Sequence, residues 1–451
     1  MKRRTFSKAI SLGLAVGVAS AASAALAACS KEQPKSGPVT ITVQGLPPET
    51  NAAARKVFLD DVAAFQTANP DVKVDAHEGT MDAQTFPARL AGGQLEDVFN
   101  VYFTTPADLI ARKQAADLTP YIKDFPAFQQ LRPDLLKIFS SADGHVYGVP
   151  TEQYTLGLVY NRELFKQAGL DPNSPPSTWE DVRSAAQKIA ALGNGVVGYG
   201  DYSKSNTGGW HFTAEMYSRG GDVAVQDGGK WKAAFNNATG KALLQDLYNM
   251  RWVDNSMGEK QLLEWADLVQ MMASGKLGMN VGAPDSISAM AANFNGKPSE
   301  YGLAPIPGGK ATLAGGAGYM INAKATPEKI KAGLKWLTFR FANPDRIEAG
   351  FKAAADAKQV VGLPEPNLWG AGDAKAKTDS ARKQYANVPG ENYTKFVANP
   401  VPLKVEPPKA QELYAILDNA MAKVLTDKNA NIDALLSDAE KQINTILASV
   451  Q

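Results

Sequence analysis

A strand–helix–strand pattern at residues 39–78 constrains the fold of this chain more than any other feature. Residues 39–45, VTITVQG, alternate β-forming and polar residues and end in glycine, which is typical of a strand. The next segment carries Phe58, Val62 and Phe65 at helical spacing, with Asn51 as a candidate N-cap. The segment VKVDAHE then alternates again. Because strand–helix–strand units build mainly parallel sheets, the pattern predicts an α/β fold.

Alternating strands and helices continue through the rest of the chain. In the span 141–193, the helix in STWEDVRSAAQKIAALG is predicted to open with a capping box formed by Ser177 and Glu180. The tail, 408–448, is predicted to be helical. With 451 residues the chain is too long for one hydrophobic core, so we expect two lobes.

The charge composition argues against a nucleic-acid partner. Lys and Arg number 47 against 46 Asp and Glu, which leaves a net charge of +1, and no basic cluster follows the N-terminal segment.

The only cysteine, Cys29, lies at the end of a segment typical of an export signal. A positively charged head, MKRRTFSK, precedes a run of small apolar residues. Leu26-Ala27-Ala28-Cys29 resembles the lipobox of bacterial lipoproteins, and Arg3-Arg4 with its flanks resembles a twin-arginine export motif. The resemblance implies removal of residues 1–28 and a lipid such as palmitate on Cys29. Residues 29–37 would then tether the protein to the outer face of the cell membrane.

Motifs of the common enzyme and cofactor classes are absent from the sequence. It contains no GxSxG, Walker A, HExxH or EF-hand pattern, and the three histidines stand far apart. We therefore expect no metal, no cofactor and no enzymatic activity. A pair of distant carboxylates meeting in a cleft, as in a glycosidase, remains open.

The span 141–193 carries a set of short motifs in a fixed order. They are DGHVYGVP, an apolar strand ending in Tyr160-Asn161, LFKQAGL and STWED. Together with EDVFNV, MMASGKLGMNVGAP and GGAGYMINAKATPEKIKAGLKWL they resemble the bacterial extracellular solute-binding protein family, which includes maltose-binding protein.

This resemblance implies a two-lobe periplasmic-binding-protein type II fold with a hinge and a ligand cleft between the lobes. Lobe 1 would hold 38–150 and 301–345, and lobe 2 would hold 151–300 and 346–451. The protein would act as a monomeric receptor of an ABC-type importer, capturing a sugar or oligosaccharide and delivering it to a membrane permease.

Candidate ligand-binding residues follow from strand ends and from the resemblance. Open α/β sheets bind ligands at the carboxyl ends of their strands, and sugar sites combine aromatic rings with polar side chains. Trp210 is the first aromatic candidate because SNTGGWHF is predicted to be a polar, glycine-rich loop, where a core tryptophan would be out of place. Asp285 stands where the family often has tryptophan, and for Asp97 structural support is the favoured role. The full set is Gln44, Gly45, Asp97, Thr104, Thr105, Glu152, Gln153, Tyr154, Trp210, Asp285, Gly316, Tyr319 and Trp369.

Three other functions stay open at this stage. The first is a receptor for a charged solute such as a polyamine or a phosphoester, and Asp285 would suit the cationic case. A secreted glycoside hydrolase would use carboxylates in the cleft. A surface adhesin would leave the cleft unused.

Overall fold

The computed structural model describes residues 37–450. Cys29, the export signal and most of the tether lie outside these residues. The strands are β1 Val39–Leu46, β2 Val72–Glu78, β3 Val98–Tyr102, β4 Gly148–Thr155, β5 Gly157–Asn161, β6 Val197–Tyr199, β7 Ala224–Asp227, β8 Lys230–Ala233, β9 Leu277–Gly282, β10 Tyr301–Pro305, β11 Thr312–Ile321 and β12 Leu403–Val405.

The α-helices are α1 Ala52–Ala68, α2 Phe86–Ala91, α3 Pro106–Ala111, α4 Thr119–Ile122, α5 Pro133–Ile138, α6 Arg162–Gln167, α7 Trp179–Ala190, α8 Thr207–Ser218, α9 Ala238–Tyr248, α10 Trp265–Ala273, α11 Pro284–Phe294, α12 Pro327–Leu337, α13 Pro344–Asp356, α14 Gly372–Gln384, α15 Thr394–Ala398, α16 Ala410–Thr426 and α17 Ile432–Leu447. Short 3-10 helices are Pro126–Gln130, Pro298–Glu300 and Gly390–Tyr393, and π-helical turns are Asn249–Val253 and Thr338–Ala342.

The predicted strand–helix–strand unit at the start of the described chain is confirmed. β1 pairs with β2 in parallel, and the Asn51 side chain caps α1 by accepting a hydrogen bond from the Ala54 amide. Phe58 and Phe65 are buried, and their rings lie 5.7 and 5.3 Å from the Trp336 ring of α12. Full burial of such a side chain stabilises the fold by about 1.5–3 kcal/mol.

Two sheets organise the chain. The first has the strand order β12-β11-β3-β1-β2, with β4 also pairing with β11, and the second has the order β10-β5-β9-β6. β7 and β8 form a separate hairpin. Most core residues of the two sheets fall into different clusters, but Leu313 of β11 packs in the same cluster as Leu158 and Tyr160 of β5.

The chain passes between the sheets at three places, which lie at 156, at 306–311 and after β12. Only Leu156 separates β4 of the first sheet from β5 of the second. The division into two lobes by residue range stays a prediction, but three strands differ from it in sheet membership. β4 crosses the predicted boundary at 150/151 and belongs wholly to the first sheet. β10 hydrogen-bonds to β5 in the second sheet, and β12 pairs with β11 in the first.

Two local predictions need correction. The capping box of α7 uses Thr178 and Asp181, one residue later than predicted, because the Thr178 hydroxyl accepts from the Asp181 amide. The helical tail is two helices, α16 and α17, separated by a turn at 427–431. None of the helices in residues 37–450 has the length and apolar character needed to cross a membrane.

Candidate ligand-binding site

A cavity of about 500 Å³ lies between the two sheets. Its size is within the range of small-molecule sites in proteins. One wall comes from the loop after β2, from the end of β3 and from β4. The other comes from the starts of α8, α10, α11 and α16, so strand ends and helix starts converge as expected. The lining residues are Met81, Asp82, Ala83, Gln84, Tyr102, Tyr154, Ser205, Asn206, Thr207, Trp210, Glu264, Trp265, Ala283, Asp285, Glu406, Gln411 and Tyr414.

Two further cavities contain predicted site residues. One of about 450 Å³ shares Met81, Ala83, Gln84, Asn206 and Gln411 with the main cavity and therefore extends it. The other, of about 200 Å³, lies under the end of β4.

Trp210 lies in the first turn of α8 and not in the predicted loop, and it forms the aromatic wall of the main cavity together with Tyr154. The two rings meet edge to face, with centroids 5.9 Å apart and planes at 88°. Behind Trp210, the Tyr202 ring is stacked at 6.2 Å, and the His211 ring lies 5.1 Å away. The indole Nε1 of Trp210 is buried and has no hydrogen-bond partner among residues 37–450.

Close packing against α16 fixes the position of Trp210. A Cβ on Gly209 would lie 2.3 Å from Cα and from the carbonyl oxygen of Tyr414, so only glycine allows this approach of α8 to α16. The Asp418 carboxylate accepts hydrogen bonds from the amides of Gly209, at 2.8 Å, and of Asn206, at 2.5 Å. These bonds satisfy amides at the start of α8 that have no partner within the helix.

A buried polar network supports the same wall from inside the second lobe. His211 Nδ1 lies 2.6 Å from Asp201 Oδ1, and the Tyr199 hydroxyl donates to Glu215 at 3.1 Å. Burial lowers the pKa of His211 to about 3, so the ring is neutral. Burial also raises the pKa of both Asp201 and Glu215. No cavity described above exposes these groups, and they have a structural role.

The carboxylates of the cleft have perturbed acidities. Burial raises the pKa of Glu406 to about 7, although Tyr414 donates a hydrogen bond to it at 3.0 Å. Glu152 and Asp285 are open to the space of the cleft, but the surrounding walls still remove part of their hydration. This desolvation raises the pKa of both groups, and the negative charge of Asp285 raises that of Glu152 further.

Eight of the predicted residues line the cleft. Tyr154, Trp210 and Asp285 lie in the main cavity, and Thr104 and Thr105 lie in its extension. Glu152, Gln153 and Trp369 line the small cavity under β4. Of these three, Gln153 accepts a hydrogen bond from Arg132 and Trp369 is buried, so both mainly support the wall.

The other five lie within the first sheet and line none of these cavities. Gln44 is buried and bonds to the backbone of Asn100 and Thr80. Asp97 pairs with Lys329 at 2.8 Å, which agrees with the structural role favoured for it. A Cβ on Gly45 would lie 2.4 Å from the Tyr319 hydroxyl, and one on Gly316 would lie 2.4 Å from the Glu152 carbonyl oxygen. These glycines allow close packing of the strands.

Several lining residues escaped the sequence analysis. Tyr102 ends β3 just before Thr104, so the strand-end rule could have found it. Glu264 and Trp265 open α10, and neither belongs to the candidate set. Glu406 and Tyr414 follow an irregular, proline-rich segment and gave no signal. In the part of the chain that the structure describes, no three His, Cys, Asp or Glu residues cluster as a metal site would require.

The sequence of this chain is similar to those of known binding proteins. The sequence model of the family described as bacterial extracellular solute-binding protein matches residues 47–340. A binding protein of Brucella abortus strain 2308 is 25% identical over 426 residues, which cover 91% of this chain and 93% of that protein.

Solved structures are also similar. An ABC transporter solute-binding protein from Thermotoga lettingae, bound with α-D-tagatose, aligns with a TM-score of 0.72 at 19% identity, covering 91% of this chain and 100% of that one. UgpB from Mycobacterium tuberculosis, in complex with glycerophosphocholine, aligns with a TM-score of 0.72 at 18% identity, covering 91% and 98%.

Proposed function

This chain belongs to the bacterial extracellular solute-binding protein family and has the two-lobe type II fold that its sequence predicted, and we propose that it is the receptor of an ABC-type importer for a sugar, an oligosaccharide or a related polar solute. The cavity between the two sheets is the observation that carries the proposal. It combines aromatic rings with amide, hydroxyl and carboxylate groups supplied by both lobes. Such a lining suits a small polar ligand with some apolar C–H surface.

Ligand capture would proceed by closure of the two lobes. The connections at 156, at 306–311 and after β12 are short, which suits a hinge that absorbs the change in backbone angles. Tyr154, next to the first connection, already contacts Trp210 across the cleft. A permease in the membrane would then receive the solute from the closed form.

The N-terminal segment completes the proposal. Lipid on Cys29 would hold the receptor at the outer face of the cell membrane as a monomer. Support comes from the lipobox-like sequence and from the extracellular family. The twin-arginine-like motif favours export by the twin-arginine route.

The choice of ligand class in this proposal rests on the chemistry of the cavity lining and on the ligands held by similar proteins. One similar structure holds α-D-tagatose, and another holds glycerophosphocholine. A hydrolase using the cleft carboxylates is the less favoured alternative, because the family consists of binding proteins. Failure to release chromophore from chromogenic glycosides would exclude that activity.

A ligand panel tests the receptor function. Thermal unfolding of the protein expressed from the full chain is measured with sugars, oligosaccharides, polyols, glycerophosphodiesters and polyamines. At 100 times its dissociation constant a ligand stabilises the folded state by about 2.7 kcal/mol, which raises the midpoint by a few degrees. A saturable shift with one class supports the proposal, and no shift with any class contradicts it.

A further inference from the structure

The main cavity carries charge of one sign. Four carboxylates line it, and no Lys, Arg or His among residues 37–450 does so. Neighbouring groups offset the negative charge of two of these four carboxylates. The Asp82 carboxylate accepts hydrogen bonds from the amides of Gln84 and Thr85. Glu264 lies 3.7 Å from the Lys204 ammonium.

Asp285, Glu406 and the adjoining Glu152 have no cationic partner within the described residues, although the Tyr414 hydroxyl donates a hydrogen bond to Glu406 and the Ser286 amide stabilises the charge of Asp285. Throughout the described chain, no basic nitrogen lies within 4.0 Å of their carboxylate oxygens. The three come from different segments, the end of β4, the start of α11 and the connection after β12. All three lie near the Tyr154 hydroxyl, and after burial their negative charges further raise its pKa.

Aromatic faces border the same space. Tyr154 and Trp210 meet at right angles, and Tyr102, Trp265 and Tyr414 add further rings to the lining. The face of an aromatic ring attracts a cation, and the attraction grows when the site loses water. Rings and carboxylates around one cavity are therefore complementary to an organic cation.

Closure around a neutral solute would leave these carboxylates without a counterion. Removing water from an unpaired charge is costly, and a positively charged group on the ligand offsets that cost. We propose that the ligand of this cleft is a solute with a positively charged nitrogen, seated against the Tyr154 and Trp210 rings and facing Asp285 and Glu406. The proposal rests on the proposed receptor function and narrows its ligand to amino sugars, polyamines or choline derivatives.

Pairs of ligands that differ in charge but little in shape test the proposal. The probes are D-glucosamine against D-glucose, and choline against 3,3-dimethylbutan-1-ol, with putrescine as a third cation. Binding to the protein expressed from the full chain is measured by titration calorimetry. At least one cation is expected to bind about tenfold more tightly than its neutral partner.

Variants assign the preference to named residues. Asp285→Asn keeps the shape of the side chain but removes its charge, and is expected to weaken binding of the cation by about 10- to 100-fold. Glu406→Gln provides a second, independent variant. Asp438→Asn on α17, where the exposed carboxylate pairs with Lys441, is the matched control and should leave binding unchanged.

Each outcome decides a different point. Equal or tighter binding of the neutral members overturns the cation proposal while the receptor function stands. A preference for the cation that survives both Asp285→Asn and Glu406→Gln overturns the assignment to these residues. Binding of no probe, charged or neutral, overturns this proposal, and failure of the wider panel as well would remove the receptor function.

Discussion

The glycine that lets α8 approach α16 provides a sharp test of how the cleft wall is built. In Gly209→Ala the new Cβ would lie 2.3 Å from backbone atoms of Tyr414. Ordinary carbon contacts begin near 3.5 Å, so the start of α8 must move by about 1 Å. Backbone atoms of a packed helix cannot turn aside as a flexible side chain can. The shift also strains the hydrogen bond from the Gly209 amide to Asp418.

The expected magnitude follows from these two losses. Overpacking of this kind typically costs about 1–3 kcal/mol, and weakening one hydrogen bond adds about 1 kcal/mol. Alanine recovers about 0.5–1 kcal/mol over glycine within a helix. We therefore expect Gly209→Ala to lower the free energy of unfolding by about 1–3 kcal/mol. Ligand affinity should also fall, because Trp210 is the next residue.

Gly350 supplies a control with the same substitution. It is exposed in the interior of α13, and a Cβ built there meets no atom within 4 Å. Gly350→Ala should therefore raise the free energy of unfolding by about 0.4–1 kcal/mol. Urea unfolding followed by circular dichroism measures both variants. Equal stabilities for Gly209→Ala and the unmodified protein, or a loss in Gly350→Ala, would refute the packing argument.

Three further predictions concern the site and the anchor. Trp210→Ala should weaken ligand binding by about 1–3 kcal/mol. Trp231 lies on the β7–β8 hairpin outside the cleft, so Trp231→Ala should leave binding unchanged. Equal losses of affinity for the two variants in titration calorimetry would contradict the assignment of Trp210 to the site. Because burial raises the pKa of Glu406 from 4.5 to about 7, its charged form destabilises the folded state. Its contribution to stability should therefore fall as the pH rises from 4.5 through 7, and Glu406→Gln should remove that part of the pH dependence. Above pH 7, Glu406→Gln should raise the free energy of unfolding by about 1–2 kcal/mol, a value reduced for the partial exposure of Glu406. If the difference in unfolding free energy between the variant and the unmodified protein is the same at all pH values, this argument is wrong. Cys29→Ala should release the protein from the membrane fraction; retention of the variant there would disprove lipid anchoring.

Local patterns in the sequence predicted the fold well where hydrophobic spacing and capping agree. Phe58, Val62 and Phe65 predicted the buried face of α1, because helical period and core position coincide there. The α7 cap was placed one residue early because Ser177 and Thr178 are both good caps, and only the path of the chain decides between them.

The main error in predicting the site residues concerns a glycine-rich segment. Gly316 and Tyr319 were expected to reach the ligand, but their segment, GGAGY, lies inside β11, where every residue is buried. A Cβ on Gly318 would lie 2.4 Å from the Val149 carbonyl oxygen, and one on Gly315 would overlap the Tyr154 ring. Composition alone does not separate a glycine chosen for a turn from one chosen for close packing.

The charge of the cleft shows why a site is harder to predict than a fold. From the sequence, Asp285 was a single departure from the family pattern, and one carboxylate suits a sugar hydroxyl as well as a cation. Glu152 and Glu406 change that balance, because Coulomb energy depends on distance in space and each lies more than a hundred residues from Asp285 in the chain. Their raised pKa values have burial as the first cause, and for Glu152 the charge of Asp285 as the second. Family membership therefore predicts the receptor, whereas the positive charge proposed for the ligand rests on three carboxylates that only the folded chain brings together.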